Sequence, residues 1–312
     1  EGGGPSDAVV LKPLPDRWEG IAVGCGINPW YGREDPHAMA GCCIEEAVRN
    51  VVAVGADPCR IAILDNFCWG NVRDEKELGG LVRCVLGCRD AALAYGVPFI
   101  SGKDSLNNFF VDETGSVVSI PGTLLISAVG IVPDIRRIVS SDLKRAGNPV
   151  YLLGNTRNEL GGSQVCRMLQ VSGGQVPVIR PGETRVLLKK LHAAIRRGLV
   201  ASCHDCSEGG LFVAISEMVV GGGWGAEVHL DGIAREECQP AVLLFSESQG
   251  RFVVEVEESA REPFERLMRG AECVLLGRVV PEPVLRVWHR GTAVLEISRK
   301  ELDEAWREAL PW

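Results

Sequence analysis

Apolar residues recur at helical spacing in the segment that follows Asp35. Asp35 can cap a helix whose first residue is Pro36, and Gly55 can take the left-handed conformation that ends it. The pattern therefore predicts a helix over residues 36–54 that buries one face. That face carries Ala40, Cys43, Ala47, Val51 and Val54.

Glu46 and Asn50 lie beside this apolar face. They are four residues apart, so they stack one turn above the other on the same side of the helix. A carboxylate and an amide oxygen in this arrangement are suitable ligands for Mg²⁺. A helix edge wetted by solvent would show the same spacing, and the residues alone leave both interpretations open.

A strand, a helix and a second strand are predicted after this segment. Residues 60–64 are apolar and lead directly into Asp65, residues 78–95 have a helical pattern that Gly96 can end, and residues 98–100 are apolar again. Strands joined by such a crossover are parallel, and ligands bind at their carboxyl ends. Asp65 is therefore a candidate binding residue.

The segment 101–108 is predicted to be a loop, and it contains Gly102, Lys103 and Ser105. Such a loop offers backbone N–H groups, a cation and hydroxyls to an anion such as phosphate, although it lacks the P-loop spacing. A polar surface turn would have the same composition. We keep both interpretations.

The remaining pattern predicts two α/β (α+β) domains, residues 1–135 and 145–312, separated by a charged segment that ends in Gly-Asn-Pro. The first domain adds a turn-rich link at 26–31 and strands at 8–11, 20–25, 116–120 and 123–132. The second is predicted to contain helices at 184–197, 211–220 and 299–309 and strands at 150–153, 227–230, 242–245, 252–256, 274–279 and 293–297.

The segment 202–211 is the informative part of the second domain. Ser207 can open a buried helix, and Gly209 and Gly210 would let an anionic ligand approach its N-terminus. Asp205 is placed to hold a cation that such a ligand brings. Alternatively, Asp205 only caps a glycine-rich helix start. A further loop, 245–251, could carry polar contacts or form a surface turn.

Composition excludes several classes of function. The net charge of −8 argues against nucleic acid as a partner, and no apolar run is long enough to span a membrane. Twelve scattered cysteines indicate a reducing compartment, so we expect a cytoplasmic protein. Cys203 and Cys206 form one C-x-x-C pair, which is no zinc site without further ligands. The start at Glu1, without an initiator methionine, suggests a trimmed chain or a fragment of a longer polypeptide.

Taken together and in order, eight segments resemble the second half of phosphoribosylformylglycinamidine synthase, whose superfamily includes aminoimidazole ribonucleotide synthetase. The segments are DAVVLKP, GINPWYG, EEAVRNVVAVGADP, ILDNFCWGN, PFISGKDSLNN, TLLISAVGIVPD, HDCSEGGL and LFSESQGRFVV. The ATP-binding signature of the superfamily starts with Asp, and this chain has Asn50 there. The resemblance implies a two-domain architecture with a mixed sheet packed against helices in each domain.

The resemblance also implies two sets of site residues. Asp7, Glu46, Asn50 and Asp205 match ligands of Mg²⁺ at an auxiliary nucleotide, ATP or ADP, and Ser207 matches a contact to it. We expect the same nucleotide at Gly209 and Gly210, where the residues already predict that an anionic ligand can approach. Asp65, Gly102 and Lys103 match positions that the second half lends to ATP in the catalytic site, and Ser105 matches a substrate contact. The catalytic His of the family lies in the first half, so no catalytic residue is assigned here.

The implied activity is ATP-dependent ligation in purine biosynthesis. Ammonia from glutamine attacks an amide carbon of formylglycinamide ribonucleotide that ATP has activated, and the isolated fragment is expected to be inactive. Its implied partners are the N-terminal half, a glutaminase subunit or domain and the ribonucleotide, with a homodimer as a substitute pairing. The alternatives are a scaffold that holds Mg-nucleotide without catalysis and a separate sister enzyme such as aminoimidazole ribonucleotide synthetase.

Overall fold

The computed structural model describes residues 6–233 and 238–308, which form two α/β units. The elements of the first unit are β1 (Val9–Leu11), β2 (Gly20–Ile27), α1 (Pro29–Glu34), α2 (Pro36–Ala53), β3 (Ile61–Cys68), α3 (Glu75–Tyr95), β4 (Phe99–Ser105), β5 (Phe109–Val111), β6 (Val117–Ser119) and β7 (Thr123–Val132). The elements of the second are β8 (Pro149–Leu153), α4 (Gln164–Met168), α5 (Pro181–Arg196), β9 (Ser202–Asp205), α6 (Gly210–Gly222), β10 (Gly225–His229), α7 (Pro240–Phe245), β11 (Phe252–Glu255), α8 (Arg261–Met268), β12 (Cys273–Val280), β13 (Val284–His289), β14 (Thr292–Ser298) and α9 (Arg299–Glu308).

The first sheet has the order β1-β2-β7-β3-β4, in which only β3 and β4 are parallel. Burial alternates strictly along β2 and β7, so one face of the sheet packs against α2 and α3 while the other stays open. Exposed apolar side chains line the open face. They include Val9, Leu11, Val23 and Ile27.

The predicted helix after Asp35 is confirmed as α2. The Asp35 carboxylate accepts hydrogen bonds from the N–H groups of His37 and Ala38, Pro36 is the first helical residue, and Gly55 follows with a φ of +116°. Most of α2 is buried, because it packs against β2 and β7, against α3 and against α5 of the second unit. The sheet comes close to it: a Cβ added to Gly26 would lie 2.2 Å from the Cys43 carbonyl oxygen.

The second sheet has the order β14-β13-β10-β12-β8-β11-β9, and helices cover both of its faces. Tyr151 and Leu153 of β8 pack towards α5 and α8, whereas Val150 and Leu152 face α6 and α7. The core on the α5 side is continuous with the core around α2. The two units therefore share one apolar interior.

Three predicted elements are wrong. Residues 242–245 belong to helix α7, because Pro240 starts a helix and a short apolar run fits either structure. The predicted link at 26–31 contains helix α1, which the Asn28 side chain caps. Residues 101–105 extend β4 where a loop was predicted, because they pair with β3.

The predicted pattern is confirmed for most of the other elements. Our sequence analysis missed the short elements β5, β9, β13, α4 and α8. Ala309, the last residue of the predicted C-terminal helix, lies outside the described residues. No helix in the described part of the chain is long and apolar enough to cross a bilayer.

The contact between β2 and α2 generates a prediction about stability. Gly26→Ala should destabilise the protein by about 2 kcal/mol, because the added methyl group has no room against the α2 backbone. Gly79→Ala, in the open second turn of α3, should instead stabilise it by up to about 1 kcal/mol through helix propensity. Urea unfolding of the two variants checks the opposite signs, and equal midpoints would contradict the packing argument.

Candidate functional site

Asp7 and Asp205 meet where the two units join. Asp7 precedes β1, and Asp205 is the last residue of β9. One oxygen of Asp7, Oδ1, accepts hydrogen bonds from the Asp205 backbone N–H at 2.9 Å and from His204 Nδ1 at 3.0 Å. Asp7, His204 and Asp205 offer ligand atoms within 4.8 Å of one another. Two residues predicted as metal ligands are thus neighbours, although almost two hundred residues separate them in the sequence.

Glu46 and Asn50 reach the same boundary from α2. Glu46 Oε2 accepts from the Ile27 N–H at 3.1 Å, and Asn50 Nδ2 donates to the Cys25 carbonyl at 2.8 Å. A Cβ added to Gly24 would lie 3.1 Å from Asn50 Cβ and 3.4 Å from the Asp7 carbonyl oxygen. Both predicted pairs of oxygen ligands therefore border β2.

Two buried oxygens of this group have no hydrogen-bond partner among the described residues. They are Asp7 Oδ2 and Asn50 Oδ1. An unpaired buried oxygen is costly, so native proteins leave such atoms mostly where water or an ion completes them. One carboxylate oxygen and one amide oxygen are donors that Mg²⁺ accepts. The residues present fit a hard divalent cation.

Arg49 is the cation that the structure itself provides. It is fully buried, donates from Nε to Asp205 Oδ2 at 3.0 Å and from Nη2 to Ser207 Oγ at 2.9 Å, and forms an ion pair with Glu45. Burial alone would lower its pKa, but the Glu45 and Asp205 carboxylates outweigh burial and raise the pKa. Our sequence analysis missed Arg49, although its i,i+4 spacing from Glu45 was a usable signal.

His204 is a second internal cation. Its ring nitrogens lie 3.0 Å from Asp7 Oδ1 and 2.8 Å from Glu217 Oε2. Burial would lower the pKa of His204, but the Asp7 carboxylate, with a further contribution from Glu217, raises it well above the usual value. The charged imidazolium donates to both carboxylates and holds Asp7 in place.

The acidic side chains gathered here outnumber the described cations around them. Burial raises the pKa of Glu46 well above its usual value, and the charges of Glu208 and Asp205 raise it further. Burial also raises the pKa of Glu208 to about 7, with added repulsion from Glu247. Carboxylates that resist ionisation in each other's presence favour an added cation. The site is therefore electrostatically suited to a divalent ion.

Glu247 organises the start of α6. Its carboxylate accepts from the Gly209 N–H at 2.8 Å, from the Gln164 N–H at 2.8 Å and from the Tyr31 hydroxyl at 2.5 Å. A Cβ on Gly210 would lie 2.3 Å from the Ser246 carbonyl oxygen, so this glycine is required by internal packing. The loop 245–251, which the sequence left undecided, is mostly buried and belongs to the site.

The second predicted set lies elsewhere, on the edge strands β3 and β4. Asp65 and Gly102 are partners in register, and a Cβ on Gly102 would lie 2.1 Å from Asp65 Oδ1. Burial and the nearby Asp104 raise the pKa of Asp65. Lys103 and Ser105 alternate with Gly102 along β4 and therefore point to the opposite face. Strand β7 and then β3 separate β4 from β2, so the structure keeps the two sets apart.

Comparison with known proteins identifies both units. Residues 5–132 match the domain family "AIR synthase related protein, N-terminal domain", and residues 145–290 match the corresponding C-terminal domain. A curated relative, phosphoribosylformylglycinamidine synthase subunit PurL of Deinococcus radiodurans, is 34% identical over 98% of this chain and 41% of its own length.

Solved structures give the same fold. The PurL of Thermotoga maritima "complexed with FGAR" superposes with a TM-score of 0.78 at 24% identity, covering 96% of this chain and 48% of that one. PurLQS of T. maritima gives 0.75 at 25% identity, covering 95% and 46%. The chain thus spans less than half the length of these relatives. It is a homologue of PurL and belongs to the AIR synthase related protein family, with the two family domains in their order.

Proposed function

We propose that this chain acts as the second half of an ATP-dependent phosphoribosylformylglycinamidine synthase. The support is the identity to a PurL subunit over almost the whole chain and the same fold in PurL structures solved with FGAR, ATP and ADP. The complete enzyme would convert formylglycinamide ribonucleotide and ammonia from glutamine into formylglycinamidine ribonucleotide. This half contributes binding surfaces and no catalytic residue of its own.

The Mg-nucleotide site would lie at the boundary between the units. Asp7, Glu46, Asn50 and Asp205 would hold Mg²⁺, and Ser207 would contact the phosphates of ATP or ADP near Gly209 and Gly210. The unpaired buried oxygens of Asp7 and Asn50 carry this assignment. Bound Mg²⁺ would neutralise the phosphates. Arg49 keeps Asp205 in position, and His204 keeps Asp7 in position.

The edge of the first sheet would serve the other half of the enzyme. Asp65 and Gly102 would contact ATP from one face of β4, and Lys103 and Ser105 would contact its phosphates and the ribonucleotide from the other face. Their position on the exposed strand β4 and its neighbour favours this role. An ammonium group cannot bind a cation, so Lys103 is assigned to phosphate.

The open apolar face of the first sheet would pair with the N-terminal half. Its exposed side chains make a surface of the kind that proteins cover on association. A second copy of this chain would be the substitute, and a glutaminase subunit or domain would supply ammonia. We place the protein in the cytoplasm, where its twelve free cysteines would stay reduced.

A scaffold role is the second candidate. Asn50 replaces the Asp of the ATP signature, and Arg49 already neutralises one oxygen of Asp205. Both features reduce the charge available to a reactive Mg-ATP. They favour a nucleotide that is held at this site and does not react.

Nucleotide binding tests the assignment. Glu46→Ala should weaken Mg-ADP binding by at least about tenfold, because the variant removes one proposed oxygen ligand. Glu75→Ala, which alters an exposed carboxylate in the first turn of α3, should leave the affinity unchanged. Isothermal titration calorimetry measures both, and equal affinities for wild type and Glu46→Ala would remove the assignment.

Turnover tests the division of labour. The 312-residue chain alone should not amidate formylglycinamide ribonucleotide, whereas mixing it with the N-terminal half and an ammonia source should give product. Detection of formylglycinamidine ribonucleotide checks this. Steady turnover by the single chain would refute the proposed division.

The raised pKa of Glu208 predicts a pH dependence. The folded state holds this proton up to about pH 7, whereas the unfolded chain releases it near 4.5, so the contribution of Glu208 to stability is lost as pH rises between these values. The Glu208→Gln variant has no carboxyl group at this position and therefore does not titrate there. The wild type should therefore lose up to about 3 kcal/mol relative to this variant between pH 4.5 and 7. Urea unfolding across that range measures the difference, and parallel curves would contradict it.

A further inference from the structure

Two arginines from different units stack on one tryptophan. Trp30 and Arg33 belong to α1, and the Arg33 guanidinium carbon lies 4.2 Å from the Trp30 ring centroid. Arg167 belongs to α4, and its guanidinium carbon lies 3.7 Å from the Trp30 ring centroid. Stacking fixes the planes of the guanidinium groups and leaves their N–H edges available. The indole thus holds two like charges close together.

Neither arginine has an acidic partner within residues 6–233 and 238–308. Arg33 forms no ion pair with any residue that the structure describes, and Arg167 donates from Nη1 to the neutral Gln164 side chain at 2.8 Å. A second tryptophan provides a comparison: Trp18 carries Lys12 at 4.2 Å and Arg136 at 4.7 Å.

There, however, Asp134 accepts from Arg136 Nη2 at 2.7 Å and from Nε at 2.9 Å. Within the described part of the chain, one cationic stack thus has its guanidinium neutralised by a carboxylate, and the stack on Trp30 does not. The two guanidinium groups on Trp30 therefore keep their positive charge without an acidic partner among the described residues. Their mutual repulsion would be relieved by an anion that both can contact.

The unneutralised stack lies beside the candidate site. Glu247, which binds the start of α6, also accepts from the Tyr31 hydroxyl in α1 and from the Gln164 N–H in α4. A Cβ on Gly162 would lie 3.1 Å from the Trp30 carbonyl oxygen, so the segment before α4 packs directly on α1. The arginine pair is therefore anchored to the same residue as the helix start.

We propose that Arg33 and Arg167, held by Trp30, form an oxyanion site for phosphoryl groups. Guanidinium forks match phosphate oxygens bidentately, and two of them suit a diphosphate better than a single carboxylate. The anion can be free phosphate or pyrophosphate, or the phosphate tail of a nucleotide. A nucleotide as the source of the phosphate rests on the proposed function. Free phosphate or pyrophosphate does not, because an anion without a metal ion needs no carboxylate ligands.

Titration of the 312-residue chain with sodium pyrophosphate in EDTA and low salt tests the site. Wild type should bind saturably, and Arg33→Gln and Arg167→Gln should each weaken binding about tenfold, the loss expected for one charge-assisted contact. Arg136→Gln, at the neutralised stack, is the matched control and should bind like wild type. Arg33→Lys keeps the charge without the fork and should bind more weakly than wild type but more tightly than Arg33→Gln. Because both arginines are exposed, the variants should fold, which circular dichroism verifies.

Absence of pyrophosphate binding by wild type, or equal binding by the Arg33→Gln/Arg167→Gln double variant, would overturn the proposal. An equal loss in Arg136→Gln would overturn it too, because it would indicate general electrostatic attraction. Mg-ADP and adenosine distinguish the sources: if the double variant loses affinity for Mg-ADP but not for adenosine, the site takes the nucleotide tail. If the double variant loses affinity for pyrophosphate but keeps its affinity for Mg-ADP, the site binds free phosphate. Failure of wild type to bind Mg-ADP while pyrophosphate still binds would reject the proposed function alone.

Discussion

The buried guanidinium of Arg49 is the interaction on which the arrangement of this protein depends. It is a full charge inside an apolar interior, and it is tolerated because Glu45 of its own helix and Asp205, Ser207 and Gln249 of the other unit surround it. Removing one partner from a buried pair typically costs about 3–5 kcal/mol, because the remaining charge is left unpaired. The two units therefore hold one relative position around α2.

The two internal cations, Arg49 and His204, neutralise only part of the acidic cluster around them. Arg49 and His204 satisfy one oxygen each of Asp205 and Asp7, while Asp7 Oδ2 and Asn50 Oδ1 stay buried without a partner among the described residues. The raised pKa values of Glu46 and Glu208 arise from the same excess of acids. A region held by buried hydrogen bonds and short of positive charge suits a cation, and the stacked arginines beside it form the anion site that we propose.

The fold separates this internal site from the surfaces of the first sheet. Helices α2 and α3 close one face of the sheet and merge with the core of the second unit, so the site is enclosed on that side. The opposite face stays exposed with its apolar side chains, whereas Asp65 and Gly102 lie near the sheet edge on the face that the helices cover. The candidate ligand site and the exposed apolar face thus lie on opposite sides of one sheet.

The sequence by itself determined the elements that depend on local signals. The cap at Asp35, the stop at Gly55, the buried stripe of α2 and the stacking of Glu46 above Asn50 all follow from the helical repeat, and the ordered set of segments identified the family. Tertiary structure decided what depends on distant neighbours: β4 continues through Ser105 because β3 pairs with it, and residues 242–245 are helical although a short apolar run fits a strand equally well. His204 and Glu247 look like ordinary polar positions in the sequence, and Arg49 differs only by its i,i+4 spacing from Glu45. Their roles arise only when the chain brings α2, β9 and the loop before β11 together, since the energy of a buried charge depends on its partners in space.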